Sequence, residues 1–99
     1  MTGPSAAASR APAVGLPEGP EVLRAVRTLG ELADDVSVPR NVRRGAGSAR
    51  EELSKPNVPL DVRIASAVYV LDDLANDPNL PTHGRTAIWS IISSLESLQ

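Results

Sequence analysis

A chain of 99 residues with net charge −2, no cysteine, one histidine, one tryptophan and one tyrosine is sized for one domain and has no thiolate or multi-histidine metal set. That balance argues against a nucleic-acid binder held by bulk charge and against a base-stacking surface. No stretch approaches the roughly 20 apolar residues that span a bilayer, and without phenylalanine the core must come from Val, Leu, Ile and Ala.

Residues 1–19 are rich in Ala, Pro, Gly and Ser and carry Pro4, Pro12 and Pro17. This composition cannot bury enough surface to offset ordering entropy, so a disordered tail is expected. It has no apolar run of the kind a secretory signal requires. The remaining residues, 20–99, form the expected single domain.

A short phrase then organises the chain: a polar residue, an aliphatic residue, a proline, and an arginine four places after the proline. It reads Ser37-Val38-Pro39 with Arg43, Asn57-Val58-Pro59 with Arg63, and Asn79-Leu80-Pro81 with Arg85, preceded by a looser Pro20 with Arg24. Ser and Asn are strong helix N-caps and proline suits the first turn, so each phrase is expected to end one helix and start the next. The expected helices span about 20–35, 38–54, 59–75 and 81–98. The recurring arginine is too far along to cap; an ion pair or a carbonyl contact between adjacent helices is its simplest cause, and a partner surface is the alternative.

In the first helix Val22, Val26, Leu29 and Ala33 make an amphipathic stripe. Asp34 and Asp35 at its end oppose the helix dipole, which predicts that they meet an arginine or the start of a neighbouring helix. The second helix has a narrow stripe, Val42, Ala46, Ala49 and Leu53, and carries Gly45 and Gly47. Two glycines cost about 2 kcal/mol of helix propensity, a cost expected to permit close approach of a neighbour. Residues 37–50 hold four arginines and no acid, which makes Arg40, Asn41, Arg43, Arg44 and Arg50 the candidate contacts for a partner or for RNA. The third helix is apolar most of the way round, with Leu60, Val62, Ile64, Ala65, Val68 and Val70 among others, and is expected to be the most buried. The fourth has Ile88, Ile91, Ile92 and Leu95 inward and Trp89 at the stripe's edge.

The two halves align at an offset of 42 residues. Val22, Val26, Leu29 and Leu32 fall on Ile64, Val68, Leu71 and Leu74, while Pro39 and Arg43 fall on Pro81 and Arg85. The expected fold is therefore all-α, a four-helix bundle built from two repeated helical hairpins. Several strings in order, including 38–44, 62–67, 71–74 and 77–83, resemble uncharacterised archaeal protein family 0147, over roughly residues 20–98. The resemblance implies an all-helical bundle and a cytoplasmic archaeal origin, and supplies no activity or catalytic residue.

Three function classes remain to be compared. The absence of a nucleophile–base pair and of metal-ligand spacing, together with the compact bundle, points to a non-enzymatic adaptor that binds an unidentified protein. The alternative is attachment to the ribosome or another ribonucleoprotein, with Arg40, Arg43, Arg44, Arg50 and Lys55 on phosphates and Asn41 beside them. An enzyme fits least, because adjacent acids such as Asp72 and Asp73 point about 100° apart on a helix. No cofactor or small-molecule substrate is expected, and self-association remains open.

Overall fold

The computed structural model describes residues 19–99; the tail expected over 1–19 lies outside them except for Gly19. The described residues form four helices and no strand: α1 Gly19–Asp34, α2 Arg40–Ser54, α3 Leu60–Ala75 and α4 Thr82–Glu96. These bounds differ from the expected ones by at most two residues.

Connectors over 35–39 and 55–59 are five residues long and reach at most about 17 Å. A helix of 15 residues is about 22 Å long, so consecutive helices must run antiparallel. α2 packs against α1 and α3, and α4 against α3 and α1, with no diagonal contact. The result is a four-membered ring of helices around one core. Buried positions repeat at the offset of 42: Val22 with Ile64, Leu29 with Leu71, Leu32 with Leu74, Val38 with Leu80, Ala46 with Ile88, and Leu53 with Leu95.

The helix starts differ from expectation in one respect. Ser37, Asn57 and Asn79 do not cap; the N-cap positions are Pro39, Pro59 and Pro81, extended and without side-chain cap bonds. Each proline carbonyl instead accepts the first helical bond, from the N–H of Arg43, Arg63 or Arg85 at 2.9–3.0 Å. The turn-making residues are Asp35 and Asp77, whose Oδ1 accepts the N–H two residues on, from Ser37 at 2.9 Å and Asn79 at 2.8 Å. In the middle connector Asn57 takes φ 65°, a left-handed conformation that Asn tolerates and that follows naturally from Pro56 in a turn.

The recurring arginines close these connectors. Arg43 Nε donates to the Val38 carbonyl at 3.1 Å, and Arg63 Nε to the Val58 carbonyl at 2.8 Å. Arg63 Nη1 also donates to the Leu53 carbonyl in the last turn of α2 at 3.0 Å. Arg85 reaches the Ala75 carbonyl at the end of α3 and the Asp77 carbonyl, at 3.2 and 2.8 Å. No helix has a basic residue in its own last turn. At the ends of α2 and α3, the following helix's arginine supplies positive charge and donors to otherwise unpaired terminal carbonyls. A bond to a backbone carbonyl of the preceding connector is thus common to Arg43, Arg63 and Arg85, and Arg63 and Arg85 add the expected carbonyl contact with the adjacent helix, whereas Arg24, with no described connector before it, is simply exposed.

The two central glycines of α2 play different parts. A Cβ on Gly45 would stand 2.5 Å from Leu74 Cδ2 and 3.0 Å from its Cγ, whereas one on Gly47 would meet nothing within 4 Å. Gly45 admits a close neighbour as expected; Gly47 does not. Accordingly Gly47→Ala should raise stability by about 0.5–1 kcal/mol through helix propensity, and Gly45→Ala should lower it because Leu74 must be displaced. Urea unfolding of the two variants checks both signs.

Candidate functional site

Of the five candidate contact residues, two have partners inside the bundle. Arg43 is half-buried on the Val38 carbonyl, and Asn41 Nδ2 donates to Asp77 Oδ2 at 2.6 Å. Arg40 and Arg44 are exposed one turn apart, and no described carboxylate lies within ion-pair distance of either. Arg50 is also exposed but lies across α1, its Nη1 3.4 Å from where a Gly30 Cβ would be. It stands 6–10 residues from Arg44 and Arg40, about 9–15 Å along the helix. The fold therefore brings Arg40 and Arg44 together and sets Arg50 apart.

Asn41 belongs to a reciprocal pair of clasps. His83, its counterpart at offset 42, places Nε2 3.2 Å from Asp35 Oδ2. Each connector aspartate is thus gripped by the first turn of a helix from the other hairpin. Asp35 therefore meets the start of a neighbouring helix, as its unfavourable place near the end of α1 predicts. Its carboxyl is lowered from the ordinary 3.8 to about 2, first by the Ser37 hydroxyl, then by the Ser37 N–H and His83. Asp77 is lowered chiefly by the Asn41 amide and then by the Asn79 N–H. These contacts organise one end of the bundle. Among the described residues no group of three or more His, Asp or Glu side chains is placed to hold a metal, and no helix is long and apolar enough to cross a membrane.

A second surface was not singled out from the sequence. α3, expected to be the most buried helix, leaves Val62 at 48% and Tyr69 at 80% exposure, with Ala65 exposed between them. The three fall at i, i+3 and i+7, on one face. Beside Tyr69 are two shallow hollows, of about 420 Å³ lined by Glu52 of α2 with Ala65, Ser66, Tyr69 and Val70, and of about 520 Å³ lined by Tyr69, Val70, Asp72, Asp73 and Asn76. A helix in a four-membered ring touches only its two neighbours, so an apolar surface on all sides must leave one side uncovered. The offset of 42 carries a usable signal: Tyr69 corresponds to Arg27, which is also exposed. Both positions face solvent, so packing within the bundle does not call for an aromatic ring at Tyr69.

Comparison with known proteins places this geometry in a set. A family model described as an uncharacterised protein family, UPF0147, matches residues 18–98. A UPF0147 protein of Thermoplasma acidophilum is 50% identical over 70 residues, covering 71% of this chain and 80% of that protein. One from Methanocaldococcus jannaschii is 45% identical over 80 residues, covering 80% and 86%. The crystal structure of a UPF0147 protein from Thermoplasma acidophilum superposes with a TM-score of 0.76 at 44% identity, covering 80% of this chain and 93% of that one. A second crystal structure, of a protein of unknown function, gives 0.77 at 40% identity, covering 82% and 94%.

The lowered carboxyls make stability depend on acid in a definite direction. A folded-state value below the unfolded one gives a contribution that is complete above pH ~4 and is lost as pH falls toward 2. Urea midpoints should decline over that window, and Asp35→Ala should flatten the decline while lowering the midpoint at neutral pH.

Proposed function

This chain belongs to the uncharacterised protein family UPF0147, and from that premise we propose that it is a non-enzymatic interaction module that binds another protein through a helical face. The uncovered apolar face of α3 carries the reading: Val62, Ala65 and Tyr69 expose apolar surface that the bundle does not need. Isolated exposed apolar residues are ordinary, and Leu23, Val36, Trp89 and Leu98 are also exposed, none of them on α3. Two large ones on a single helix face, beside a hollow, are the pattern of a binding surface. An exposed tyrosine suits the role because its ring adds large contact area with little side-chain entropy to lose, and such residues dominate interface energetics. The site of action in this reading is the cytoplasm, the partner is a polypeptide, and no cofactor takes part.

One observation favours a second reading. Arg40 and Arg44 project from α2 with no carboxylate partner among the described residues, a disposition that suits phosphate contacts on a ribosome or another ribonucleoprotein. Phosphate binding would fall steeply with salt, whereas an apolar contact at Tyr69 would not.

Sedimentation of native extract through a sucrose gradient, with and without nuclease, separates the two. The module reading expects a complex that survives nuclease and high salt, disappears with Tyr69→Lys and persists with Arg40→Ala/Arg44→Ala. Migration with ribosomal particles that is abolished by nuclease, by salt and by the arginine variant, but not by Tyr69→Lys, would replace it with the ribonucleoprotein reading.

A further inference from the structure

We infer that the hollow along α3, where it meets α2, receives a basic amphipathic helix contributed by another polypeptide. The inference rests on the interaction-module reading and adds the chemistry of the occupant. The apolar stripe runs from Val62 past Ala65 to Tyr69, and its far end is walled by Asp72 and Asp73. Eleven residues separate Val62 from Asp73, about 16 Å, or three helical turns. That length fits the apolar face of one short helix.

Charge selects the sign of the partner. Carboxylates from Glu52, Asp72 and Asp73 line the two hollows, and no basic side chain does. Glu52 is held by Lys55 at 3.0 Å, but among the described residues no cation stands within ion-pair distance of Asp72 or Asp73. These two also lie in the last turns of α3, where the helix dipole adds negative potential. A partner carrying Lys or Arg at the edges of an apolar stripe would complement both features.

The same features count against other occupants. Phosphates would be repelled by the paired aspartates. A second copy meeting this face symmetrically would bring its own three carboxylates and a single lysine, a balance that leaves acidic charge uncompensated. The bundle offers no strand edge to an extended peptide, so its backbone could not be extended by pairing. The equivalent seam between α1 and α4 provides an internal contrast. It is lined by Glu21, Arg24, Thr28, Ser90 and Ser94 among others, of mixed charge and without an aromatic residue.

The test is fluorescence anisotropy of the full chain with two labelled peptides of about four helical turns. Both carry leucines at helical i, i+3/i+4 and i+7 spacing; one has lysines elsewhere and the other has glutamates. The lysine peptide should bind saturably at one site, at least about tenfold more tightly than the glutamate peptide. Tyr69→Ala and the double change Asp72→Lys/Asp73→Lys should each weaken it by at least about tenfold. Charge reversal on α1, Glu31→Lys/Asp34→Lys, should change it less than about twofold. All of these side chains are exposed, and circular dichroism confirms that each variant retains its helices. Equal loss from the α1 reversal would mean non-specific charge attraction and overturn the inference, as would absence of saturable lysine-peptide binding. A Tyr69-dependent preference for the glutamate peptide, or a Tyr69-dependent dimer in sedimentation equilibrium, would also overturn it. A Tyr69-dependent complex in the gradient without lysine-peptide binding would remove this inference and leave the module reading standing.

Discussion

The bundle depends on three arginines placed four residues after three prolines. Each reaches back over its own helix start to the connector behind it. There Arg43, Arg63 and Arg85 donate to the carbonyls of Val38, Val58 and Asp77, and two of them also serve the end of the preceding helix. The need is physical. A helix end leaves backbone carbonyls without partners, and this chain puts acids rather than bases at its helix ends, where the dipole is already negative. Arg63, only 6% exposed, shows the arrangement at its tightest, a buried cation among acceptors. Proline meanwhile fixes the chain direction into the next helix without requiring a side-chain cap.

The arginines close the connectors, and the clasps tie the two hairpins together. Asn41 on Asp77 and His83 on Asp35 are long-range bonds that cross between the hairpins at one end of the molecule. They absorb polar residues that would otherwise count as surface. Among the described residues, what remains at the surface is then informative: Arg40 and Arg44 without acids, Asp72 and Asp73 without bases, and the Val62–Tyr69 face without a covering helix. The bundle's internal needs account for Arg43, Asn41 and Gly45 and do not account for these.

Much of this was legible in the chain because it depends on local chemistry. The number of helices, their bounds to within two residues and the inward stripes follow from spacing and from what proline permits; for the recurring arginine, spacing left an ion pair and a carbonyl contact equally open, and the fold decides for the carbonyl. The capping assignment failed because Ser37 and Asn79 each have an aspartate two residues before them. Only the path of the chain decides which oxygen accepts and which N–H donates, and here Asp35 and Asp77 accept. Local sequence places Asn41 with the surface contacts, since its partner Asp77 is 36 residues away, beyond any local pattern. Tyr69 stands exposed on an otherwise well-buried helix, because an apolar tally cannot say which sides of a helix its neighbours will cover. The comparison of halves at offset 42, aromatic against Arg27, held that information and needed the fold to give it meaning.

Labour in the molecule is divided: the proline-linked arginines hold the bundle together, and the packing of the bundle makes no use of the exposed α3 face. Equilibrium urea unfolding of Arg63→Ala beside Val62→Lys/Tyr69→Lys tests this division most directly. The arginine variant should lose about 3 kcal/mol, from buried carbonyls left without a donor, and the face variant should change by no more than about 0.5 kcal/mol, as ordinary surface positions do. A face variant that loses about 2 kcal/mol or more, or an arginine variant as stable as the parent, would contradict it.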